Sequence, residues 1–358
     1  MLVSGNIICI KNQILTECHT SDLTDEHVFT YLNNKIENSK PKSISTEIIT
    51  DGVGIKLHSL NEIIIPKTSN ILIFNRTSNL FEVVNIKDII DNIANYKFVK
   101  QKKYNIYKRI YEIDSIKLIQ ELGEILGLWL LFGSYNYHEQ TPSWFLDEAF
   151  RDYFEKLCSH INKTTNYHLL IKHTKDNINE FSIYGQEDII NQFINKHFIN
   201  SSSEKIIPNW IYNAHESFIY GIFKVLTLKM SVIQYNKKYK KYILSYKNKN
   251  EKTIIFLKNI LNLRFEGTNI FHKKINKFNF LTVDVNSKLL GIFKSISLEF
   301  PKDAYKVANN PNIINYDNNI SLISSHSAKI EIYNNTEINA SNINTGNKHL
   351  VTHSGLII

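Results

Sequence analysis

The chain has 358 residues, of which 42 are Lys or Arg and 34 are Asp or Glu, so that its formal net charge is +8. Hydrophobic residues make up 43% of the sequence, which excludes the disordered class of low hydrophobicity and high charge. The length predicts two or three domains. The basic charge favours an acidic partner such as nucleic acid, although ordinary solubility explains a charge of this size equally well.

Three cysteines, Cys9, Cys18 and Cys158, are too few and too scattered for a disulfide framework, and no paired Cys and His spacing predicts a zinc site. Each is interpreted as a small buried hydrophobic residue. The N-terminus lacks the features of a signal peptide, and the most apolar run, 125–132, is too short to span a bilayer. The sequence therefore predicts a soluble, intracellular protein with no membrane partner.

The first 95 residues or so contain short β-type runs separated by polar turns, and strands are predicted at 6–10, 63–65, 71–74 and 81–84. A basic stretch follows at 97–109 and is interpreted as a linker or a solvated arm. The tail at 308–358 is rich in Asn and Ser. It predicts further β-structure or loosely ordered segments, with one alternating run at Ala328–Tyr333.

Between these ends, from about residue 113 to about residue 300, helical patterns alternate with strand pairs. Helices are predicted at 118–132, 146–161, 187–197, 216–229, 251–263 and 286–296. Hairpins are predicted where 167–173 pairs with 180–184 and where 232–235 pairs with 241–246. The order of helix, hairpin and helix occurs twice, which indicates an internal pseudo-repeat.

Two of these helices contain apolar stretches with small residues, LGLWLLFGS at 126–134 and FIYGIFKVLT at 218–227. A glycine inside a helix costs about 1 kcal/mol relative to alanine, so Gly127 and Gly221 predict the close approach of two packed helices. Leu126 and Gly133 are assigned to the same helix interface. The alternative interpretation is two core helices with incidental glycines.

These two segments resemble the paired helices of the LAGLIDADG homing endonucleases, of the dodecapeptide (DOD) type found in inteins. The first helix of that family ends in a motif close to LGLWLGDGS, which is similar to LGLWLLFGS here. Its second helix follows a basic residue, an Ile-Pro pair and an aromatic residue, which resemble Lys205 and the sequence IIPNW at 206–210. The resemblance covers residues 115–300 and implies a monomeric, pseudo-two-fold domain that binds double-stranded DNA.

The resemblance also implies a catalytic site, because an acid at the foot of each family helix binds divalent metal at a scissile phosphate. Two Mg²⁺ ions can then stabilise both the attacking and the leaving oxygen. Phe132 holds the first acid position here and Leu226 the second, and neither side chain can bind Mg²⁺. The nearby acids Glu139, Asp147 and Glu216 are out of register with the helix ends. Cleavage is therefore expected to be lost, and no cofactor is expected.

DNA binding is expected to outlive the acids, because hairpin surfaces supply most phosphate and base contacts. A lysine-rich and tyrosine-rich ribbon at 232–252 has the shape that fits the major groove. The predicted DNA-binding residues are Lys237, Lys238, Lys240, Lys241 and Lys247, interleaved with Tyr235, Tyr239, Tyr242 and Tyr246. The alternative is a solvated edge on which lysines prevent aggregation.

The two ends of the chain resemble the Hint domain of an intein, the β-rich splicing domain into which such endonucleases insert. The similar segments are 2–10, 65–73 and 347–358. Splicing needs an N-terminal nucleophile, a histidine in the second conserved block and a terminal His-Asn pair. Here the chain opens with Met1, the block position carries Ile71 and the sequence stops at Ile358. Splicing is therefore also expected to be lost.

The predicted architecture is mixed α/β, with a pseudo-two-fold LAGLIDADG domain at 110–305 inserted in a split all-β Hint-like domain at 1–100 and 308–358. Two other classes of function remain open. One is a non-cleaving, maturase-like module that binds DNA or RNA, for which preference for structured RNA would be the mark. The other is an inert intein remnant, which would bind no nucleic acid.

Overall fold

The fold is mixed α/β, with seven α-helices and 25 β-strands in the part of the chain that the structure describes. The computed structural model describes residues 1–11, 14–24, 26–32, 35–57, 62–101, 109–136, 141–174, 177–184, 189–237, 241–265, 270–285, 287–295, 320–324, 328–345 and 349–350. A large hydrophobic core fills the repeated region and continues into the β-rich part, where it includes Ile10, Phe29, Leu72, Phe74 and Val99. A smaller core fills the rest of the β-rich part. No helix within the described ranges has the length and apolar character that a membrane span requires.

In the described part of residues 1–101, the chain forms eleven strands and one short α-helix. They are β1 (Leu2–Val3), β2 (Asn6–Lys11), β3 (Ile14–His19), β4 (His27–Leu32), β5 (Lys35–Ser39), β6 (Ser43–Ile49), β7 (Gly52–Leu57), β8 (Ile63–Pro66), β9 (Asn70–Asn75), β10 (Leu80–Asn85), α1 (Ile86–Asp91) and β11 (Tyr96–Gln101). All four strands predicted there are confirmed.

Two features of this region differ from the sequence-based prediction. Helix α1 was not predicted, and it starts where the Asn85 side chain accepts a hydrogen bond from the Lys87 backbone N–H. The linker predicted at 97–109 was wrong in its first part, because β11 pairs with β9 and buries Phe98 and Val99. Two apolar residues between lysines are enough for a strand once a neighbouring strand covers them.

Six α-helices and ten strands lie in the described segments of the repeated region. They are β12 (Glu112–Ile113), β13 (Ile116–Lys117), α2 (Gln120–Phe132), β14 (Gly133–Asn136), β15 (Thr141–Phe145), α3 (Glu148–Thr164), β16 (Leu170–Thr174), β17 (Asn177–Tyr184), α4 (Ile189–Phe198), α5 (Glu216–Met230), β18 (Ser231–Asn236), β19 (Lys241–Asn248), α6 (Glu251–Arg264), β20 (Ile270–Ile275), β21 (Phe278–Asp284) and α7 (Ser287–Ser295). All six predicted helices and both predicted hairpins are confirmed.

The two halves of this region have the same topology. The first half forms a four-stranded sheet in the order β14-β15-β17-β16, and the second forms one in the order β18-β19-β21-β20. Every neighbouring pair is antiparallel. The internal repeat indicated by the sequence is therefore present as two copies of one fold, although hairpins β14–β15 and β20–β21 were not predicted.

The C-terminal strands return to the β-structure built by the first hundred residues. They are β22 (Ile320–Ser324), β23 (Ala328–Tyr333), β24 (Ile338–Asn344) and β25 (His349–Leu350). Strand β22 pairs with β11, β23 with β7, β24 with both β1 and β6, and β25 with β4. The repeated region is thus inserted between two sets of strands that pair with each other.

The β-rich part contacts the second half of the repeat through β3. This strand lies against a 3₁₀ helix at Asn209–Asn213, which leads into α5. The Glu17 carboxylate of β3 accepts a hydrogen bond of 2.9 Å from the Asn259 side chain of α6. Asn259 also donates to the Tyr212 hydroxyl at 3.2 Å, so the two parts of the chain share a polar contact.

Candidate nucleic-acid interface

Helices α2 and α5 pack against each other through backbone atoms. A Cβ added at Gly123 would overlap the carbonyl oxygen of Phe218, and one added at Gly221 would overlap the carbonyl oxygen of Gln120. Gly221 follows Gly123 by 98 residues, and Phe218 follows Gln120 by the same 98, so the two contacts are related by a pseudo-two-fold axis. Gly127 lies on the same face, where an added Cβ would come within 3.0 Å of the Val225 Cβ.

The glycines predicted at this interface fall into two groups. Gly127 and Gly221 lie in the helix contact, and Leu126 is fully buried within α2. Gly133 does not lie in that contact. It directly follows the last residue of α2, and a Cβ added there would meet Trp129 of that helix. Gly123 was missed, although the argument from the cost of a glycine inside a helix applies equally to it.

Only the first of the two helices ends at the residue expected at its acid position. Phe132 is the last residue of α2, as the motif predicts. The last residue of α5 is Met230, which follows Phe132 by the same 98 residues, whereas Leu226 lies fully buried one turn earlier. The counterpart of Phe132 is therefore Met230, and the predicted register of the second motif was four residues too early.

A lysine occupies the space beside these helix ends. The Lys229 ammonium lies 4.2 Å from the ring centre of Phe150 and 5.5 Å from that of Phe132. It also lies 3.2 Å from a carboxylate oxygen of Asp147. The pKa of Asp147 is lowered, first by the hydrogen bond from the Phe150 backbone N–H and then by Lys229. The foot of the helix pair is thus aromatic and cationic.

This foot does not fit the metal pair that the family resemblance implies. Phe132 and Met230 offer no oxygen ligand for Mg²⁺. Glu216 begins α5 at the opposite end of the helix and pairs with Arg109 at 2.8 Å, and Glu139 lies outside the described residues. In the described part of the chain, no three His, Cys, Asp or Glu side chains converge as a metal site.

Lys205, which precedes the second helix motif, is bound at the end of the first helix. Its ammonium donates hydrogen bonds to the carbonyl oxygens of Trp129 at 2.7 Å and Gly133 at 2.6 Å, and lies 4.5 Å from the ring centre of Trp129. Burial lowers the pKa of Lys205 to about 8. This lysine therefore caps the C-terminus of α2 from a segment more than 70 residues away.

A buried ion pair also crosses the helix interface. The Lys224 ammonium of α5 lies 3.1 Å from the carboxylate of Glu124 in α2. The same carboxylate accepts hydrogen bonds from the Gln120 amide at 2.8 Å and from the Tyr153 hydroxyl. The pKa of Tyr153 is raised, first by burial and then by the hydrogen bond that its hydroxyl donates to Glu124. At the pseudo-symmetric positions stand Ile222 and Leu126, so this pair has no polar counterpart.

The outward face of the second sheet carries lysines over aromatic rings. In β21, Leu281 and Val283 are buried, while the alternate residues Phe278 and Phe280 are partly exposed. The register places Lys247, Phe280 and Lys273 side by side across three strands. We call these three residues the basic row.

Cation–π contacts link the lysines of this face to its two phenylalanines. The Lys247 ammonium lies 4.2 Å from the ring centre of Phe278 and 5.7 Å from that of Phe280. The ammonium of Lys273 lies 5.8 Å from the Phe280 ring, and that of Lys249 lies 5.8 Å from the Phe278 ring. Each ring holds a charge near the sheet surface, where it can meet a phosphate.

The residues predicted to bind DNA have different outcomes. Lys247 lies in the basic row, and Lys237 is exposed just after β18. Lys238, Lys240 and Tyr239 lie outside the described residues, and for Lys241 only the strand pairing with Asn236 is described. Lys273, Phe278 and Phe280 were missed. The run at 278–283, rich in aromatic and β-branched residues, is a signal for a strand but does not say which of its faces is exposed.

Tyr246 does not lie on the predicted DNA-binding surface. This side chain is fully buried, and its hydroxyl lies 2.9 Å from the Thr227 hydroxyl of α5. Tyr242 packs partly against the same core, whereas Tyr235 is exposed and its ring lies 5.1 Å from that of Tyr242. The lysines and the tyrosines of β19 therefore alternate between the two faces of the sheet.

Comparison with known proteins returns distant structural neighbours. No family model and no curated protein matches the chain. The N-terminal LAGLIDADG domain of DUF199/WhiA is 13% identical with a TM-score of 0.32, over 55% of this chain and 91% of that one. Full-length DUF199/WhiA from Thermatoga maritima is 12% identical with a TM-score of 0.35, over 58% and 66% of the two chains. The homing endonuclease I-DmoI, solved with DNA and Mn, is 12% identical with a TM-score of 0.35, over 51% and 100%.

Proposed function

We propose that this chain is a degenerate, intein-type LAGLIDADG homing endonuclease that binds double-stranded DNA without cleaving it. The observation that carries the proposal is the basic row, in which Lys247 and Lys273 flank Phe280 on the outward face of the second sheet. A twisted antiparallel sheet of this size presents a surface that fits the major groove, and exposed lysines on it neutralise phosphates.

The loss of cleavage follows from the chemistry at the helix ends. An in-line displacement by two metals needs oxygen ligands, and Phe132 and Met230 supply none. The Asp147 carboxylate, which lies beside Lys229 at this foot, is occupied by Lys229 and by the N-terminus of α3. A fixed ammonium at this position can contact a phosphate but cannot activate water, so binding and cleavage are separable in this chain.

The experiment measures binding of the full chain to mixed-sequence duplex DNA by fluorescence anisotropy, at several salt concentrations. The test variant is K247E/K273E, and the matched control is K42E/K87E, which changes the charge equally on exposed lysines of the β-rich part. The test variant should lower affinity at all salts and reduce the slope of log affinity against log salt by about 2. The control should bind as the unchanged protein does.

Four outcomes would contradict the proposal. Equal binding by both variants would remove the basic row from the interface. Tighter binding of structured RNA than of duplex DNA would favour the maturase-like function. Proteins recognise A-form RNA helices through the minor groove and recognise RNA sequence in single-stranded loops, so such a preference would indicate a surface built for RNA. Absence of binding to either would favour an inert remnant. Specific double-strand cutting of a plasmid in Mg²⁺ would contradict the loss of cleavage.

We further propose that the strands on either side of the insertion are a Hint-like domain that no longer splices. Support comes from Ile71, which stands at the block position that needs a histidine and is fully buried in β9 opposite Val84. A buried aliphatic side chain can neither donate nor accept a proton. Placing the chain between two reporter proteins, with Cys before it and His-Asn after it, should give no ligated reporter. A ligated product would contradict this proposal.

A further inference from the structure

Two cysteine sulfur atoms meet inside the first hairpin of the β-rich part. Cys9 lies in β2 and Cys18 in β3, and their Sγ atoms are 3.0 Å apart. The register pairs Cys9 with Thr16 and Cys18 with Ile7, so the two cysteines lie diagonally on one face of the hairpin. Cys158, the third cysteine, is buried in α3 of the repeated region. Sequence spacing alone did not predict this pair.

The surroundings of the two thiols make them chemically unequal. Cys18 donates its S–H to the Cys9 sulfur, which lowers the pKa of Cys9 and raises that of Cys18. Lys11 lowers the pKa of Cys9 further, while Glu26, which pairs with Lys11 at 2.9 Å, opposes this effect. Cys9 is fully buried, and Cys18 is the partly exposed member that a small molecule can reach.

We propose that Cys9 and Cys18 are a redox modification site, which forms a reversible disulfide by exchange with a low-molecular-weight disulfide such as glutathione disulfide. The sulfur atoms must approach from 3.0 Å to about 2.05 Å. The proposal does not rest on the proposed DNA binding.

The disulfide forms by two successive thiol–disulfide exchanges. One proton leaves the pair, and the proton shared in the hydrogen bond passes from Cys18 to Cys9, so that the exposed Cys18 becomes a thiolate. This thiolate attacks one sulfur of glutathione disulfide, the S–S bond of glutathione disulfide breaks, a mixed disulfide forms at Cys18 and the first glutathione leaves as a thiolate that takes up a proton. The Cys9 sulfur then attacks the Cys18 sulfur, the mixed disulfide breaks and the second glutathione leaves. Both protein thiols are oxidised, glutathione disulfide is reduced to two thiols, and the two thiol protons end on glutathione.

The cross-link would act on the strand that joins the two parts of the chain. The cysteines face the smaller core, whereas Glu17 points from the other face of β3 and bonds to Asn259 of α6. Glu17 also accepts a hydrogen bond from Asn6 of β2 at 2.8 Å. Oxidation would therefore fix the hairpin that docks against the second half of the repeat.

The test uses the purified full chain in glutathione buffers that run from reducing to oxidising. Free thiols are alkylated, and intact mass and peptide mapping report which cysteines remain reactive. Oxidised protein should lose two alkylatable thiols and two hydrogen atoms, with Cys9 and Cys18 in one cross-linked peptide. Hydrogen exchange of the β2 and β3 amides should become slower in the same samples.

Two variants separate the pair from the third cysteine. C158S should oxidise as the unchanged chain does, and C18S should keep Cys9 reduced because its buried sulfur has lost its partner. The proposal is overturned if Cys9 and Cys18 of the unchanged chain both stay alkylatable in the most oxidising buffer. It is also overturned if Cys158 enters the cross-link, or if a mixed glutathione disulfide accumulates at Cys18 without closing.

Discussion

The two halves of the repeat share a fold but differ in the surface that they present. Where the second sheet pairs Lys247 with Phe280, the equivalent pair of the first sheet is Phe145 with Glu180. The neighbouring row of the first sheet consists of Ser134, Ser143 and Ser182, and of these Ser143 and Ser182 are buried. The cores of both sheets are apolar, so the shared topology follows from the buried faces, while the outward faces are free to diverge.

The contact between α2 and α5 has a symmetric part and an asymmetric part. The glycine contacts are related by the pseudo-two-fold axis, because backbone approach at Gly123 requires the same approach at Gly221. The Glu124–Lys224 ion pair has no such counterpart. Backbone contacts thus hold the two halves in register, and side-chain contacts can differ from one half to the other. The predictions that follow test this division from the largest effect to the smallest.

Replacing Gly123 or Gly221 by valine should have the largest effect, because each new side chain would overlap a carbonyl oxygen of the facing helix. Backbone cannot give way as a flexible side chain does, so we expect each change to lower the free energy of unfolding by ~4 kcal/mol. Denaturant unfolding measures this effect. The matched control is G291A in α7, where an added Cβ meets nothing within 4 Å.

The control should be neutral or stabilising by up to about 1 kcal/mol, because alanine favours a helix more than glycine does. Valine variants as stable as G291A would contradict this prediction. They would mean that the distance between the two helices is larger than in the structure and that the glycines are incidental, which is the alternative interpretation of the sequence.

Removing the cation of the buried ion pair should have the second largest effect. K224M leaves the Glu124 carboxylate buried with neutral partners only, and we expect a loss of about 3 kcal/mol in the free energy of unfolding. The double variant E124I/K224L, which copies the pseudo-symmetric residues Ile222 and Leu126, should recover most of that loss. A double-mutant cycle measures the coupling, and additive effects would contradict it.

Much of the repeat was predictable because each helix has a continuous apolar face and each hairpin has polar turn residues. The predicted register of the second motif failed for a physical reason: without an acid at either helix end, no residue type marks the end of the helix. The tyrosines of β19 were misassigned because alternation gives two faces but does not say which of them is buried. Only the pairing with β21 decides that Lys247 points outward and Tyr246 inward.

The other misses concern contacts between residues distant in the chain. Lys205 caps α2, and Cys9 approaches Cys18 only through a diagonal pairing of two strands. Neither contact follows from local periodicity, because each depends on how separate elements are placed. The strand β11 was missed for the same reason, since its burial comes from β9 and β22.

Lys205 should give a pH-dependent effect of about 2 kcal/mol on the free energy of unfolding. Its pKa is about 8 in the folded chain, below the ordinary value of 10.5, because burial disfavours the charged form. Between pH 8 and pH 10 the unfolded chain therefore binds more protons than the folded one, and stability rises with pH. K205M should lack this rise, so the difference between the two proteins should change across that range.

The measurement is chemical denaturation of both proteins at a series of pH values. Comparing them cancels the titration of the other lysines and tyrosines. A difference that stays constant from pH 8 to pH 10 would mean that the hydrogen bonds to Trp129 and Gly133 offset the effect of burial on the ammonium.

The smallest effect compares one lysine from each sheet. K247Q removes a charge from the basic row, and K172Q removes one from an exposed position on the outward face of the first sheet, opposite Ser182. Each lysine that contacts a phosphate contributes about one unit to the slope of log affinity against log salt. K247Q should therefore reduce the slope by about 1 and K172Q should leave it unchanged, as measured on the same duplex DNA. Equal reductions by both variants would mean that the two sheets share the binding surface and that the difference in their outward faces does not decide which half meets DNA.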